Sequence, residues 1–302
     1  MAHLLSIRSS PTFSVIIPTY RRELAVIKAA RSVLQQTIRP VEIIIVDDSD
    51  DNNLSNIIHK EFGSDVICVP NIRKKGPSGA RNTGIMQASG DWIAFLDDDD
   101  YWMPRHIENL LETSRRLPDC RFVAARFIFV DSQGRAIKMS ADVPREIGTL
   151  LLGGNVVGTC SCVAAERALI HAAGLFDESI SYAEDWDLWL RLTSLTSFAS
   201  TSAFSVSYVV HSGPQLTKNP KFFRSGLVTV RRTRQVQSCR LTPEALLLWG
   251  TNLLFYLRSS GRSILLRRVL KKLISDERLS PMAKMYFAAR LVRSYIRIDK
   301  GR

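Results

Sequence analysis

Apolar and polar residues along the first hundred positions fall into alternating blocks of two periods. Phe13 to Ile17 (FSVII) is a short β-branched run that stops at Pro18, and apolar Leu24, Ile27, Ala30, Val33 and Leu34 then recur at helical spacing from Arg22 to about Gln36. Val41 to Val46 (VEIIIV) predicts a second buried strand, which ends on Asp47-Asp48-Ser49-Asp50, and Val66 to Val69 a weaker third. Beyond a Gly-rich turn, Ser78 to Ala88 predicts a helix and Trp92 to Leu96 (WIAFL) a strand that runs into Asp97 to Asp100. Strands alternating with helices in this way predict βαβ units and a mostly parallel sheet, an α/β fold.

The middle of the chain predicts strands at Phe122 to Val130 and near Cys160 to Ala165, a helix from Glu184 to about Leu195, and a strand near Phe204 to Val210. Past Pro220 the pattern becomes helical and basic. Ser263 to Ile274 (SILLRRVLKKLI) sets Ile264, Leu265, Val269 and Leu273 on one face and Arg267, Arg268, Lys271 and Lys272 largely on the other. The predicted organisation is an α/β domain over 1–220, with a change of pattern near 100, and a basic helical region over 221–302.

Charge sharpens this division. Residues 221–302 carry 19 Lys and Arg against 4 Asp and Glu, net +15, whereas 1–220 carry 22 against 25, net −3. The whole-chain value of +12 therefore describes only the tail. With 45% apolar and 23% charged residues, the 302-residue chain has the composition of a globular protein, which excludes wholesale disorder. The longest nearly uncharged apolar run, Ala245 to Leu257, has 13 residues, fewer than the ~20 that a membrane-spanning helix needs. MAHLLSIRSS lacks a signal-peptide layout, and five scattered cysteines lack the spacing of a disulfide framework or zinc site; a reducing cytoplasmic setting is expected.

In open α/β sheets ligands bind outside the carboxyl ends of the strands. Pro18-Thr19-Tyr20, Asp47-Asp48 and Asp97 to Asp100 all lie at predicted strand ends and should converge on one edge. Four consecutive carboxylates repel one another unless a cation or hydrogen-bond donors offset them, and Mg²⁺ or Mn²⁺ takes such oxygens. Asp48 to His59 is no calcium loop, since Asn53 stands where the loop requires Gly and His59 where it requires Glu. A carboxylate there can accept from a nucleobase or ribose, or cap the following helix. The turn Gly76 to Arg81 contains neither phosphate-loop nor nucleophile-elbow spacing, yet Arg81, one turn into its helix, could meet a phosphate or base. Glu184 and Asp185 open an apolar helix, as dipole complements or as a general base. His211, after the VSYVV strand, is a candidate metal ligand or a strand-end polar residue.

Taken together, FSVIIPTYRRE, VEIIIVDDSDDN, GPSGARNTGIMQASGDWIAFLDDDDYWMP and GLFDESISYAEDWDLWLRL resemble the inverting, nucleotide-sugar-dependent glycosyltransferases of family 2, which have the GT-A (Rossmann-like) fold. The likeness runs over about residues 11–215. It implies that Pro18, Thr19, Tyr20, Glu23 and Asp48 hold base and ribose, that Arg81 lies near base and diphosphate, and that Asp97 and Asp98 contact the nucleotide sugar. It implies a Mn²⁺ or Mg²⁺ on Asp99, with Asp97 as a further ligand, in a register of four aspartates that is ambiguous by one; His211 stays a candidate ligand from its position alone. It makes Asp185 the catalytic base, with Glu184 orienting it or the acceptor. The implied partners are a UDP-sugar and a saccharide or lipid-linked saccharide of the cell envelope. Outside the resemblance, the basic amphipathic pattern of 221–302 suits peripheral contact with the anionic inner membrane, or a helical cap whose charges are simply solvated. Two alternatives fit less well. A nucleotidyltransferase should show a Gly-rich loop with a lysine near the first strand, and a nucleic-acid-binding protein should interleave aromatics with its basic residues.

Overall fold

A computed structural model describes residues 10–51, 53–117, 119–143, 147–210, 242–259 and 263–296. The described residues group into two compact units. The first comprises those of Met1–Asp142, Thr159–Glu178 and Leu195–Val210, and the second those of Val143–Gly158, Ser179–Ser194 and His211–Arg302. A single cut at 220 does not describe this grouping, because two segments of the expected catalytic domain cluster with the C-terminal helices.

The first unit is built on a mixed sheet flanked by helices. Its strands are β1 (Phe13–Thr19), β2 (Glu42–Asp47), β3 (Ile67–Pro70), β4 (Trp92–Phe95), β5 (Tyr101–Trp102), β6 (Cys120–Val130), β7 (Ala136–Met139), β8 (Val163–Glu166) and β9 (Ser197–Val209). The order is β3-β2-β1-β4-β8-β6-β9-β5, with β7 on β6. The first four strands pair in parallel, and β8 joins β4 antiparallel. Val15, Ile16, Ile17, Ile45, Val46, Ile93 and Phe95 have no exposed surface, as uninterrupted apolar strands covered on both faces should. The covering helices are α1 (Glu23–Leu34), α2 (Asn53–Phe62), α3 (Pro77–Gln87), α4 (His106–Arg116) and α6 (Arg167–Ala172).

Two features bring the strand ends together. The register pairs Thr19 with Asp47 and Asp47 with Pro70, so β1, β2 and β3 stop at one level. In addition, β1 has β2 on one side and β4 on the other, with successive connections leaving in opposite directions, which makes the β1/β4 boundary the switch point where such sheets open a crevice. Helix α3 packs against β1 through Gly84, where a Cβ would lie 2.5 Å from Ile16 Cγ2.

The second unit contains α5 (Gly148–Leu151), α7 (Glu184–Leu192), α8 (Pro243–Ser259), α9 (Ser263–Ile274) and α10 (Pro281–Ile296). The apolar face expected of Ser263 to Ile274 is packed in part: Leu273 is buried and Val269 half-buried, the adjacent Leu270 is buried as well, and Leu273 and Phe287 both lie against Gly250 of α8. Three expectations shift. Residues 160–162 form a 3-10 turn that leads into β8, β9 starts at Ser197 rather than near Phe204, and α7 ends at Leu192. β9 is longer because Ser197 to Ser200 also pair parallel with β6, a non-local partner, although the polar Ser200-Thr201-Ser202 that follows interrupts the local apolar pattern.

Candidate active site

At the switch point of the first unit the ends of β1 and β4 are bonded side chain to side chain. Thr19 Oγ1 donates to Asp98 Oδ2 at 2.7 Å, and the guanidinium of Arg22, which precedes α1, donates to Asp98 Oδ1 at 3.0 Å and Asp99 Oδ2 at 2.8 Å. Burial pushes the Asp98 carboxyl up to about 6, against the opposing pull of Thr19 and Arg22. Asp97 accepts from Arg81 Nη2 at 2.8 Å and from Thr159 Oγ1 at 3.0 Å, while its own N–H donates to Ser161 Oγ. Arg81 is buried on α3, with its guanidinium 5.4 Å from the centroid of the Phe176 ring.

Asp100 differs from the other three aspartates. Its side chain turns inward, accepting from Ser161 Oγ at 2.6 Å and the Val209 N–H at 3.0 Å, and it ties the β4 loop to β9. Burial first, then the charges of Asp97 and Asp99, hold its carboxyl well above the ordinary carboxylate range. Asp100 thus ties two strands of the fold together, and Asp97, Asp98 and Asp99 are the carboxylates that lie at the strand end.

At the end of β2, Asp48 is oriented by Asn71 Nδ2 at 2.6 Å and by the Gly76 N–H at 2.8 Å, and Lys75 Nζ donates to the Asp48 carbonyl at 2.9 Å. Gly76 has φ +123°, a conformation that side-chain-bearing residues rarely adopt. Gly79 lies so close to Lys74 that a Cβ would sit 1.9 Å from its carbonyl oxygen. The glycines of this turn thus serve a close backbone approach that brings an N–H to Asp48. The helix-cap alternative falls to a neighbour: Asp51 Oδ1 accepts from the Asn53 N–H at 3.0 Å at the start of α2. Pro18 is half-buried, while Tyr20 and Glu23 are exposed beside the same strand end.

Arg22, Asn71, Lys75, Thr159 and Ser161 were not singled out in the sequence. Arg22 carried a faint signal as a second basic residue between Tyr20 and Glu23. The others sit in loops whose partners are remote in the chain.

Glu184 and Asp185 belong to the second unit. Ala183, at φ 61°, precedes α7 in the left-handed region, and Glu184 behind it is buried. Asp185 is half-buried; its Oδ1 accepts from the Trp186 N–H at 2.6 Å and its Oδ2 from Asn155 Nδ2 at 3.1 Å. The Trp186 indole donates to the Leu151 carbonyl at 2.7 Å and so fixes the first turn of α7. His211 lies outside the described residues.

Among the described residues, no three His, Cys, Asp or Glu side chains are gathered as a metal-binding group. The donor chemistry still suits a hard cation. Asp97, Asp98 and Asp99 offer carboxylate oxygens, and the guanidinium bridging Asp98 and Asp99 shows that these carboxylates are arranged around positive charge.

Comparison with known proteins accords with this geometry. A family model described as Glycosyl transferase family 2 matches residues 14–172. The chain belongs to this family. It is 33% identical over 211 residues to the Escherichia coli UDP-Glc:alpha-D-GlcNAc-diphosphoundecaprenol beta-1,3-glucosyltransferase WfaP, covering 66% of this chain and 78% of that one. It is 30% identical over 188 residues to an uncharacterized glycosyltransferase of Haemophilus influenzae, covering 61% of this chain and 63% of the relative's length. Staphylococcus aureus TarS 1-349, solved in complex with UDP, superposes with a TM-score of 0.63 at 18% identity, covering 94% of this chain and 89% of that one. The family-2 glycosyltransferase therefore has the GT-A fold and is a transferase, which sets aside the nucleotidyltransferase and nucleic-acid-binding alternatives.

Proposed function

We propose that this glycosyltransferase moves a sugar from a UDP-linked donor to a hydroxyl of a saccharide or lipid-linked saccharide in cell-envelope polysaccharide synthesis, with inversion at the anomeric carbon. One observation carries the reading: Thr19, Asp48, Arg81 and Asp97 to Asp99 gather at the carboxyl edge of β1, β2 and β4, at the switch point of the sheet. WfaP, whose name states a UDP-glucose donor and a diphosphoundecaprenol-linked acceptor, supports the substrate classes. The UDP held by TarS supports the nucleotide.

Asp48, preset by Asn71 and Gly76, has lone pairs left to accept from the imide N–H of the base. Pro18, Tyr20 and Glu23 flank the base and ribose, and Asp98 accepts from the ribose. Arg81 brings positive charge toward the diphosphate. Asp99 and Asp97, with His211 as a further candidate, would hold Mg²⁺ or Mn²⁺, which when bound supplies a Lewis acid for the developing diphosphate charge. Asp185, oriented by its own helix turn and assisted by Glu184, takes the proton of the acceptor hydroxyl as that oxygen bonds to the anomeric carbon. The bond from that carbon to the diphosphate breaks, and UDP leaves with the electron pair.

The basic tail supports peripheral contact with the anionic inner face of the membrane. Among the described residues no helix is long and apolar enough to cross a bilayer, and Leu270 and Leu273 of α9 are already buried, so the attraction would rest largely on surface charge.

Incubation with UDP-sugars, Mn²⁺ and a diphosphoundecaprenol-linked saccharide tests the function, with UDP release and product mass as readouts. Release that needs both acceptor and donor is expected; no transfer from any of a panel of nucleotide sugars would overturn the reading.

A further inference from the structure

The tail helices bear directly on the segment that holds Asp185. Residues 153–155 read Gly-Gly-Asn, and both glycines lie against α8. A Cβ on Gly153 would stand 2.3 Å from the Ala245 carbonyl oxygen, and one on Gly154 would stand 2.4 Å from Asn252 Nδ2 and 3.1 Å from Leu248 Cγ. Asn252 also donates from Nδ2 to the Gly153 carbonyl at 3.1 Å. At Gly153 a side chain would meet backbone, so glycine is required for this approach, while at Gly154 it would meet the Asn252 and Leu248 side chains.

The next residue is Asn155, and its amide is fixed from every side. Its Oδ1 accepts from the N–H groups of Val157 at 3.1 Å and Gly158 at 3.2 Å. Its Nδ2 donates to the Gly158 carbonyl at 2.8 Å and to Asp185 Oδ2 at 3.1 Å. Because two N–H groups claim the oxygen, the amide cannot flip, and the NH₂ must face the carboxylate. A neutral donor here orients Asp185 without the charge that a Lys or Arg would bring, and such a charge would make the carboxylate a weaker base.

We propose that Asn155 is a positioning residue that sets the orientation and basicity of Asp185, and that α8 holds Asn155 in place through Gly153, Gly154 and Asn252. The basic C-terminal region is then part of the catalytic apparatus as well as a charged surface. This rests on Asp185 being the base.

The test uses the full chain. Asn155→Asp puts a second carboxylate beside Asp185, and the acidic limb of kcat/KM against pH should move up by about one unit. Asn155→Ala should lower kcat by at least ~10-fold while the donor KM and the Kd for UDP stay within twofold, since orientation of the base contributes to the chemical step rather than to donor binding. Asn252→Ala, which leaves the segment itself intact, should lower kcat by a smaller factor with the same unchanged KM, and it serves if the Asn155 variants do not fold. Asp185→Asn separates the two levels. If it is inactive while the Asn155 variants keep the wild-type pH limb and kcat, the positioning role is overturned and the base assignment stands; if it turns over normally, the base assignment falls and this proposal with it.

Discussion

Thr19 and Asp98 are joined by a 2.7 Å hydrogen bond across 79 positions of sequence. One closes β1 and the other follows β4, so the bond bridges the two strands between which the crevice opens. It also leaves the buried Asp98 carboxylate aimed rather than free to rotate.

Thr19→Val should therefore weaken donor binding while leaving the sheet intact. Losing one partner of a buried carboxylate costs ~1–3 kcal/mol, or on the order of 10-fold in the Kd for UDP. Calorimetric titration with UDP in Mn²⁺ checks this, with the melting temperature as a control.

Arg81→Lys should be a severe change despite its conserved charge. The guanidinium reaches Asp97 while lying near the Phe176 ring, a planar geometry that an ammonium cannot reproduce. Arg81 is buried but Asp97 is partly exposed, so losing the pair costs ~1–3 kcal/mol; Arg81→Met should lower the melting temperature by several degrees and abolish UDP binding, with Arg81→Lys between it and wild type.

Asp185→Asn should eliminate transfer and spare the donor site, because the acceptor proton then has no base while the residues of the first unit are untouched. Product formation by mass spectrometry, alongside a UDP titration, checks both halves.

His106 makes stability fall in acid. It is fully buried, stacks on Trp102 at 4.2 Å between ring centroids, and pairs through Nδ1 with Ser205 Oγ at 2.8 Å; burial pushes it down from 6.5 to about 3. The unfolded chain therefore binds the proton first. This loss is absent above about pH 6.5, grows by ~1.4 kcal/mol per pH unit below it, and saturates near pH 3. His106→Phe removes the titration, so its stability relative to wild type should improve by ~2 kcal/mol between pH 7 and pH 5 in urea unfolding.

Membrane contact driven by the tail should be salt-sensitive. Flotation with vesicles containing anionic lipid should fall between low salt and 0.5 M NaCl, as screening shortens the reach of surface charge. Flotation that persists unchanged would point to apolar insertion instead.

What the sequence determined by itself was the set of buried strands and the polar residues at their ends. FSVII, VEIIIV and WIAFL are local apolar runs, and a parallel sheet brings their carboxyl ends to one edge whatever the side-chain details. That Thr19, Asp48 and Asp97 to Asp99 lie together at that edge was legible for that reason. Tertiary structure decided what depended on partners far along the chain: that Asp100 turns inward to Ser161 and Val209, that Arg22 bridges Asp98 and Asp99, and that Asn71 and the Gly76 N–H preset Asp48. It also bears on the tail. The amphipathic pattern of Ser263 to Ile274 is equally consistent with a membrane face and a packed face, and the burial of Leu273, with Leu270 beside it, shows that part of the helix is packed. Hydrophobic periodicity is written in neighbouring residues, whereas the orientation of a carboxylate is set by whichever distant donor the fold brings within 3 Å of it.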